Sequence, residues 1–364
     1  MEILHTSNIL KSDISFIDTD LEDITTRNSH SKKTPTATLP YLSTEEGNIS
    51  ESISIQIFLA KKFNPDFLGT NIFQRSQINM WIEFANCELQ NNLKKIIYPI
   101  FKGKINYDNE INEEKKLEKN LKILENEFNK GNKKYIIGNV LTLADVILFR
   151  YLRFFMMFYL TEKIRKLLYP KLTQWFMNIM NTPEAIDAYG RTILCKKQLK
   201  PLILKTQNKQ EKNIVNELRK NLLENNNKKK ELENLWNNIN FKEYSFWLIE
   251  YQNLESEKYK LFRLKNSKNF FLERIDEKFK KIAFGVHGVY SSKDMGYKVR
   301  GVWMWKGMTI PEEIKNNEYF GFLDIKKLEC DKNIENKKLV EDFWTKCNKG
   351  DEIDKRKLED VSYF

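Results

Sequence analysis

Apolar residues recur at steps of three and four between about residues 70 and 200, and this spacing predicts amphipathic helices. The longest stripe consists of Ile78, Trp81, Ile82, Ala85, Leu89, Leu93, Ile96 and Ile97. Two shorter stripes follow, one of Leu117, Leu121, Leu124 and Phe128 and one of Leu172, Trp175, Phe176 and Ile179. We interpret each stripe as core packing, so residues 67–200 predict an all-helical bundle.

A strand, a turn and a helix are predicted before this bundle. Residues 39–42 are the strand, residues 46–48 the turn, and a helix begins between Ser50 and Ser52. The preceding residues, 1 to about 33, are polar, and only "EILH" and "ISFI" are strand candidates there. We therefore expect a small α/β subdomain over residues 1–66.

The pattern changes twice more toward the C-terminus. Residues 201–234 are rich in Lys, Asn and Glu and predict a charged, solvated linker, with a basic RNA-binding arm as the alternative. Residues 235–364 predict a separate α+β domain with an antiparallel sheet. Its strands are expected in "YSFWLIEYQ", "EKYKLFRL", "IAFGVHGVYSS", "GYKVRGVWMW" and "YFGFLDIKKLE", and its helices in "SKNFFLERIDEKFKK" and, closing the domain, "NKKLVEDFWTKCN".

The segment "VLTLADVILF" carries the signals of a well-specified helix start. Thr142 is a favourable N-cap, and the carboxylate of Asp145 can reach back to its backbone N–H, which makes a capping box. Leu141 and Val146 are placed to form the accompanying hydrophobic staple. We assign these four residues a structural role, not a catalytic one.

Composition narrows the function only slightly. The 364 residues carry a net charge of +11, which suits an acidic partner such as RNA or a membrane surface, but the 61 basic residues are interspersed with 50 acidic ones throughout the chain. Four scattered cysteines and three isolated histidines indicate neither a disulfide scaffold nor a metal site. We expect no cofactor, no membrane span and a cytoplasmic location.

Two further features invite a chemical interpretation. "GVHGVYSS" lacks the spacing and lysine of a phosphate-binding loop, and Trp303 and Trp305 could stack on bases but fit core packing better. By contrast, Glu51 and Ser52 fall at a helix N-terminus, where backbone N–H groups favour a bound carboxylate. Pro40 would point a backbone edge at the same pocket, most usefully if the Leu39-Pro40 bond were cis.

From about residue 34 to residue 199 the chain resembles the cytosolic glutathione transferase fold, through "LPYL", the "ES" pair and "LTLAD". The resemblance implies a shortened thioredoxin-like subdomain followed by the family's helical C-terminal domain. It also implies that Pro40, Glu51 and Ser52 are a vestigial glutathione pocket. His5, Thr6 and Ser7 cannot be assigned the catalytic role, because the segment before Pro40 is too short and polar.

Residues 235–364 resemble the C-terminal domain of the elongation factor 1-gamma family, through "FWLIEYQ", "FFLERIDEKFKKIAFGVHGVYSS" and "RGVWMWKG". The resemblance implies a non-catalytic scaffold in the elongation factor 1 complex, which supports delivery of aminoacyl-tRNA by elongation factor 1-alpha. It implies direct binding of the beta-type nucleotide-exchange subunit through the transferase-like domain and indirect contact with elongation factor 1-alpha. An active glutathione transferase and an RNA or membrane tether are the alternatives, and tRNA synthetases and a homodimer remain open as partners.

Overall fold

The computed structural model describes residues 1–17, 33–35, 38–102, 110–131, 133–199, 214–224 and 228–364. The chain divides into two compact units, Met1–Ile203 and Leu204–Phe364. Each unit buries its own set of large apolar side chains. The predicted boundary between residues 66 and 67 falls inside the first unit.

The first unit begins with a helix, a β-hairpin and a second helix. Their bounds are α1 Glu2–Leu10, β1 Tyr41–Thr44, β2 Gly47–Ser50 and α2 Ser52–Phe63. The strands are antiparallel, with Tyr41 opposite Ser50. The predicted strand and helix are therefore confirmed, with the strand displaced by two residues toward the C-terminus, but strand β2, which includes Gly47 and Asn48 of the predicted turn, was not predicted.

The prediction of strands in "EILH" and "ISFI" is wrong. Glu2–Leu10 is a helix, and residues 14–17 belong to no strand. Tertiary contacts explain the difference, because α1 packs against α2 and buries His5, Thr6 and Leu10. At its start, the Glu2 carboxylate lies 2.5 Å from the guanidinium of Arg150. Packing of this kind overrides the weak local preference of a short apolar run for a β-strand.

From Ile72 to Tyr189 the described residues of the first unit are mainly helical, as predicted. Its helices are α3 Ile72–Phe84, α4 Gln90–Asn92, α5 Tyr98–Lys102, α6 Glu110–Asn129, α7 Leu143–Phe158, α8 Glu162–Leu168, α9 Pro170–Met180 and α10 Pro183–Tyr189. Two π-helical turns, Ala85–Leu89 and Leu93–Ile97, join α3, α4 and α5 into one helical stretch. Helix α7 is buried along almost its whole length, and its Phe149 ring stacks on Phe176 of α9 with centroids 4.7 Å apart.

The elements of the second unit are α11 Ile214–Glu224, α12 Lys228–Asn238, β3 Tyr244–Tyr251, α13 Leu261–Glu273, β4 Ala283–Ser292, β5 Gly296–Lys306, α14 Glu312–Lys315, β6 Leu323–Leu328, α15 Ile334–Thr345, β7 Glu352–Ile353 and β8 Arg356–Tyr363. The strands form a six-stranded antiparallel sheet of order β6-β3-β5-β4-β8-β7. Helices α11, α12 and α15 contribute to the core on one face, and Phe271 of α13 contacts Trp303 on the other. The predicted α+β domain with an antiparallel sheet is confirmed.

Parts of the predicted secondary structure of this unit are wrong. "EKYKLFRL" is not a strand, because its second half begins α13, and β3 pairs instead with β5 and β6. The helix predicted from Ser267 onward begins earlier, at Leu261. Helix α15 does not close the domain, because the β7-β8 hairpin follows it and β8 pairs with β4.

The predicted solvated linker over residues 201–234 differs most from the structure. Residues 200–213 lie outside the described part of the chain, but α11 and the start of α12 are packed helices. Val215, Leu218 and Leu222 join the core beside the sheet residues Phe284 and Val302. The heptad-like spacing of a few apolar residues was hidden by the surrounding Lys, Asn and Glu.

Candidate functional site

The predicted glutathione pocket lies at the open end of the β1-β2 hairpin. Because Tyr41 pairs with Ser50, Pro40 and Glu51 occupy the next position outward on each strand. The Leu39-Pro40 peptide bond is cis. Ser52 follows as the first residue of α2, so the structure brings Pro40, Glu51 and Ser52 to one corner.

Glu51 has a backbone conformation that L-amino acids rarely adopt, with φ 71° and ψ 125°. It occupies the N-cap position of α2, and its side chain makes no capping hydrogen bond. The first N–H groups of α2 therefore lack a side-chain cap from Glu51, which suits a bound carboxylate. A role for this corner in binding glutathione stays a prediction.

The capping box at α7 is built around a buried carboxylate. Asp145 is fully buried, and its Oδ2 accepts the backbone N–H of Thr142 at 3.0 Å and the Thr142 hydroxyl at 2.8 Å. Its Oδ1 accepts the N–H of Ile136 at 2.8 Å and the indole N–H of Trp175 at 2.9 Å. Burial raises the pKa of Asp145, and these hydrogen bonds oppose that shift.

Asp145 therefore joins three parts of the bundle: its own helix, the chain at Ile136 and helix α9. All four acceptor positions of the carboxylate are used, which leaves none for a substrate. Leu141, which precedes the N-cap, is partly exposed, and Val146, on the core side of the helix, is buried. Both exposures are those expected of a hydrophobic staple. The geometry fits a structural role for the four predicted residues.

His5 of α1 is a buried titratable group that is not part of the predicted site. Its ring lies edge-on to Tyr189 and Phe149, with centroids 5.3 and 5.8 Å away. Both ring nitrogens are buried, and neither has a hydrogen-bond partner among the described residues. Burial lowers the pKa of His5 to about 3, so the ring is neutral near pH 7. Thr6 donates a hydrogen bond to Gln56 of α2, and Ser7 is buried beside it in α1.

In the second unit the two tryptophans of β5 are core residues, which confirms the preferred interpretation. Trp303 and Trp305 are fully buried, so neither offers a stacking surface. The Trp303 indole donates to His287 Nδ1 at 3.0 Å. Gly285 lies directly opposite Trp303 in the sheet, and a Cβ there would come within 2.4 Å of the ring. The glycines of "GVHGVYSS" thus allow close packing, as predicted.

Potential metal ligands and thiol groups are scattered over the described part of the chain. Within those residues, no three His, Cys, Asp or Glu side chains are grouped to hold a metal ion. None of the four cysteines forms a disulfide, and only Cys87 is exposed. None of the helices in these residues combines the length and hydrophobicity that a membrane span requires.

Comparisons with known proteins divide the chain as the two units do. Residues 91–192 match the family described as glutathione S-transferase, C-terminal domain. Residues 203–309 match the family described as elongation factor 1 gamma, conserved domain. The second match begins before α11, consistent with the packing of α11 and α12 into the second unit.

Proteins named elongation factor 1-gamma resemble the chain over most of its length. Probable elongation factor 1-gamma 1 of Arabidopsis thaliana is 24% identical over 91% of this chain and 84% of its own length. Elongation factor 1-gamma of Artemia salina is 22% identical over 86% and 85%. Among solved structures, the GST-like domain of elongation factor 1-gamma from Saccharomyces cerevisiae is 19% identical, with TM-score 0.48, over 56% of this chain and 93% of that one.

The chain is thus a two-module protein in which a glutathione transferase-like helical domain precedes an antiparallel α+β domain. Its resemblance to elongation factor 1-gamma, inferred above from sequence motifs, is confirmed. That resemblance supports a role in the translation elongation factor 1 complex.

Proposed function

We propose that the protein is a non-catalytic scaffold subunit of the elongation factor 1 complex. In this proposal the transferase-like domain binds the beta-type nucleotide-exchange subunit, and the assembly supports delivery of aminoacyl-tRNA by elongation factor 1-alpha. The observation that carries the proposal is the joining of the two matched modules, residues 91–192 and 203–309, in one chain.

An exposed apolar face on α3 supports docking through the first module. Ile72, Phe73 and Met80 are 80%, 69% and 53% exposed. Phe73 and Met80 are seven residues apart, so they lie on the same side of the helix two turns apart. Large side chains left this exposed on a well-packed helix are typical of an interaction surface. We assign this face to the exchange subunit, and self-association of the chain is the competing use.

The test is copurification of the full-length protein with its cognate exchange subunit. We expect the wild type to retain the subunit and the double variant Phe73→Ser, Met80→Ser to lose most of it. Because both side chains are exposed, the folded core should be unchanged, which a thermal melt checks. The control is Leu167→Ser, Leu168→Ser, which removes two apolar side chains that are 68% and 54% exposed at the end of α8.

Each outcome bears on the proposal. Absence of the exchange subunit from the wild-type eluate would refute it. Equal loss in the two double variants would show that the α3 face is not the docking surface. If the α3 variant changes only the sedimentation of the protein alone, the face serves a homodimer.

An active glutathione transferase is the second candidate, and the uncapped helix start at Glu51 and Ser52 favours it. Retention on glutathione resin and turnover of a chloronitrobenzene substrate, both lost in Ser52→Ala, would support this function. Absence of both in the wild type would leave Pro40, Glu51 and Ser52 as a vestigial corner. We propose the latter outcome, since scaffolding needs no chemistry there.

The third candidate is a tether to RNA or a membrane through basic segments. Residues 201–213 of the predicted basic arm lie outside the described part of the chain, and the lysines in their sequence support this candidate. Binding through phosphate contacts releases counterions, so a steep loss of affinity with added salt is expected. This function is compatible with a scaffold.

A further inference from the structure

A polar groove lies in the first unit between the end of α6, the loop that follows it, and α9. It encloses about 330 Å³. Its lining includes three lysines and three carboxamides over an aromatic floor: Lys133, Lys134 and Lys171, Asn139, Gln174 and Asn178, and Phe128 with Trp175. None of these residues belongs to the sites predicted from the sequence, although Trp175 donates a hydrogen bond to Asp145 of the capping box.

The groove carries an excess of positive charge. Lys133 Nζ lies 2.5 Å from Glu127 Oε1, and that carboxylate also pairs with Lys130 at 2.8 Å. Lys134 and Lys171 make no ion pair within the described residues, and the Lys134 amine lies 5.2 Å from the centre of the Tyr135 ring. Two ammonium groups therefore remain available to an anion.

The frame that carries these lysines is fixed by hydrogen bonds. The Glu125 carboxylate accepts the backbone N–H groups of Lys171 at 3.1 Å and Leu172 at 2.8 Å, which holds the start of α9. The backbone N–H of Lys134 donates to Asn139 Oδ1 at 3.1 Å, which fixes the loop. That bond leaves the Asn139 NH₂ group as a donor for a ligand. The groove is therefore largely formed before any ligand binds.

We propose that this groove binds the phosphate group of a phosphate ester. Lysine ammonium groups attract phosphate as point charges, and carboxamides can hydrogen-bond to ester oxygens and neighbouring hydroxyl groups. The aromatic floor is formed by Phe128 and Trp175, which are both buried and offer little surface for stacking. A small phosphorylated sugar and the ribose-phosphate backbone of RNA share this chemistry.

The test is calorimetric titration of the full-length protein with inorganic pyrophosphate. We expect saturable binding that is roughly tenfold weaker in the double variant Lys134→Ala, Lys171→Ala, because two unpaired charges next to the anion are removed. Neither lysine forms an ion pair with another described residue, so the variant should fold like the wild type, which a thermal melt verifies. The matched control is Lys61→Ala, Lys163→Ala, which removes the same charge from α2 and α8, away from the groove.

Two outcomes would overturn the proposal: no saturable binding of pyrophosphate to the wild type, or an equal loss in the control variant. Competition by a short poly-glutamate peptide as strong as that by pyrophosphate would also overturn it, since the groove would then bind carboxylates equally well. A short single-stranded RNA identifies the source of the phosphate. Weaker RNA binding in the groove variant alone indicates the RNA backbone, and unchanged RNA binding indicates a small ester.

Discussion

The indole N–H of Trp175 donates a hydrogen bond to Asp145 Oδ1 at 2.9 Å, and this bond links helix α9 to the first turn of α7. The other carboxylate oxygen receives both donors of Thr142. The capping box, whose residues are close together in the sequence, therefore also connects two helices of the bundle. Its threonine hydroxyl donates to the carboxylate, so Asp145 carries most of the cap.

We expect Asp145→Ala to lower the free energy of unfolding of the first unit by roughly 3 kcal/mol or more, because it leaves buried N–H donors of Ile136, Thr142 and Trp175 without an acceptor. Thr142→Ala should cost about 1 kcal/mol. Chemical denaturation followed by tryptophan fluorescence and circular dichroism measures both. Adding Thr142→Ala to Asp145→Ala should cost less than the sum, since the two residues share hydrogen bonds.

Partner binding provides the control for this prediction. At a temperature where the double variant is still folded, copurification of the exchange subunit should match the wild type, because neither residue is on an exposed face. Loss of the partner by a folded variant would mean that the box has a direct functional role. Unchanged stability would mean that the hydrogen bonds of Asp145 contribute nothing.

The sequence predicted this junction in part because capping chemistry depends on residues close together in the chain. Thr142 and Asp145 are three residues apart, whereas the contact to Trp175 spans 30 positions and has no local signal. The lysine groove escaped prediction for the same reason, since Lys134 and Lys171 come from a loop and a helix far apart in sequence. Helix α1 escaped it because tertiary packing decides its conformation.

In the second unit, hydrophobic periodicity predicted the β4-β5 hairpin correctly but was not applied to helix α11. The β4-β5 hairpin was predicted because its strands alternate and its turn is polar. Helix α11 was assigned to a linker because three buried residues, Val215, Leu218 and Leu222, are diluted by polar neighbours. The overall composition of such a helix is dominated by its exposed face, and only the spacing of its apolar residues identifies the buried face.

The packing of α11 into the core of the second unit leads to a prediction about two adjacent leucines. Leu222 is 2% exposed in the core, and the next residue, Leu223, is 50% exposed. We expect Leu222→Ala to lower the free energy of unfolding of the second unit by about 3 kcal/mol, from lost burial and a residual cavity. Leu223→Ala, the matched control, should change it by less than about 0.5 kcal/mol. Equal effects in a denaturant titration would restore the linker interpretation.

His5 should make the docking of α1 sensitive to acid. Burial lowers its pKa to about 3 in the folded protein from 6.5, so the folded state favours the neutral ring. The contribution of His5 to stability is therefore complete above about pH 6.5 and is lost as the pH falls toward about 3. At pH 5 the loss should be about 2 kcal/mol.

Hydrogen exchange of the α1 amides at pH 7 and pH 5, corrected for intrinsic rates, measures this effect. In His5→Phe the protection should depend much less on pH, because the replacement ring carries no proton and keeps the contacts with Phe149 and Tyr189. Amides of the second unit are the internal control, since His5→Phe should leave them unchanged. An equal loss of protection in variant and wild type would rule out His5 as the cause.

Glu51 provides a prediction at the corner predicted to be a vestigial glutathione pocket. Its φ of 71° places a non-glycine residue in a region that favours glycine. Glu51→Gly should raise the free energy of unfolding by about 1 kcal/mol, because relief of this strain exceeds the entropy cost of glycine. Glu46→Gly, in the neighbouring turn where φ is not positive, should give no gain. Thermal melts compare the two variants, and a loss of stability in Glu51→Gly would show that the glutamate side chain makes a stabilising interaction at this corner.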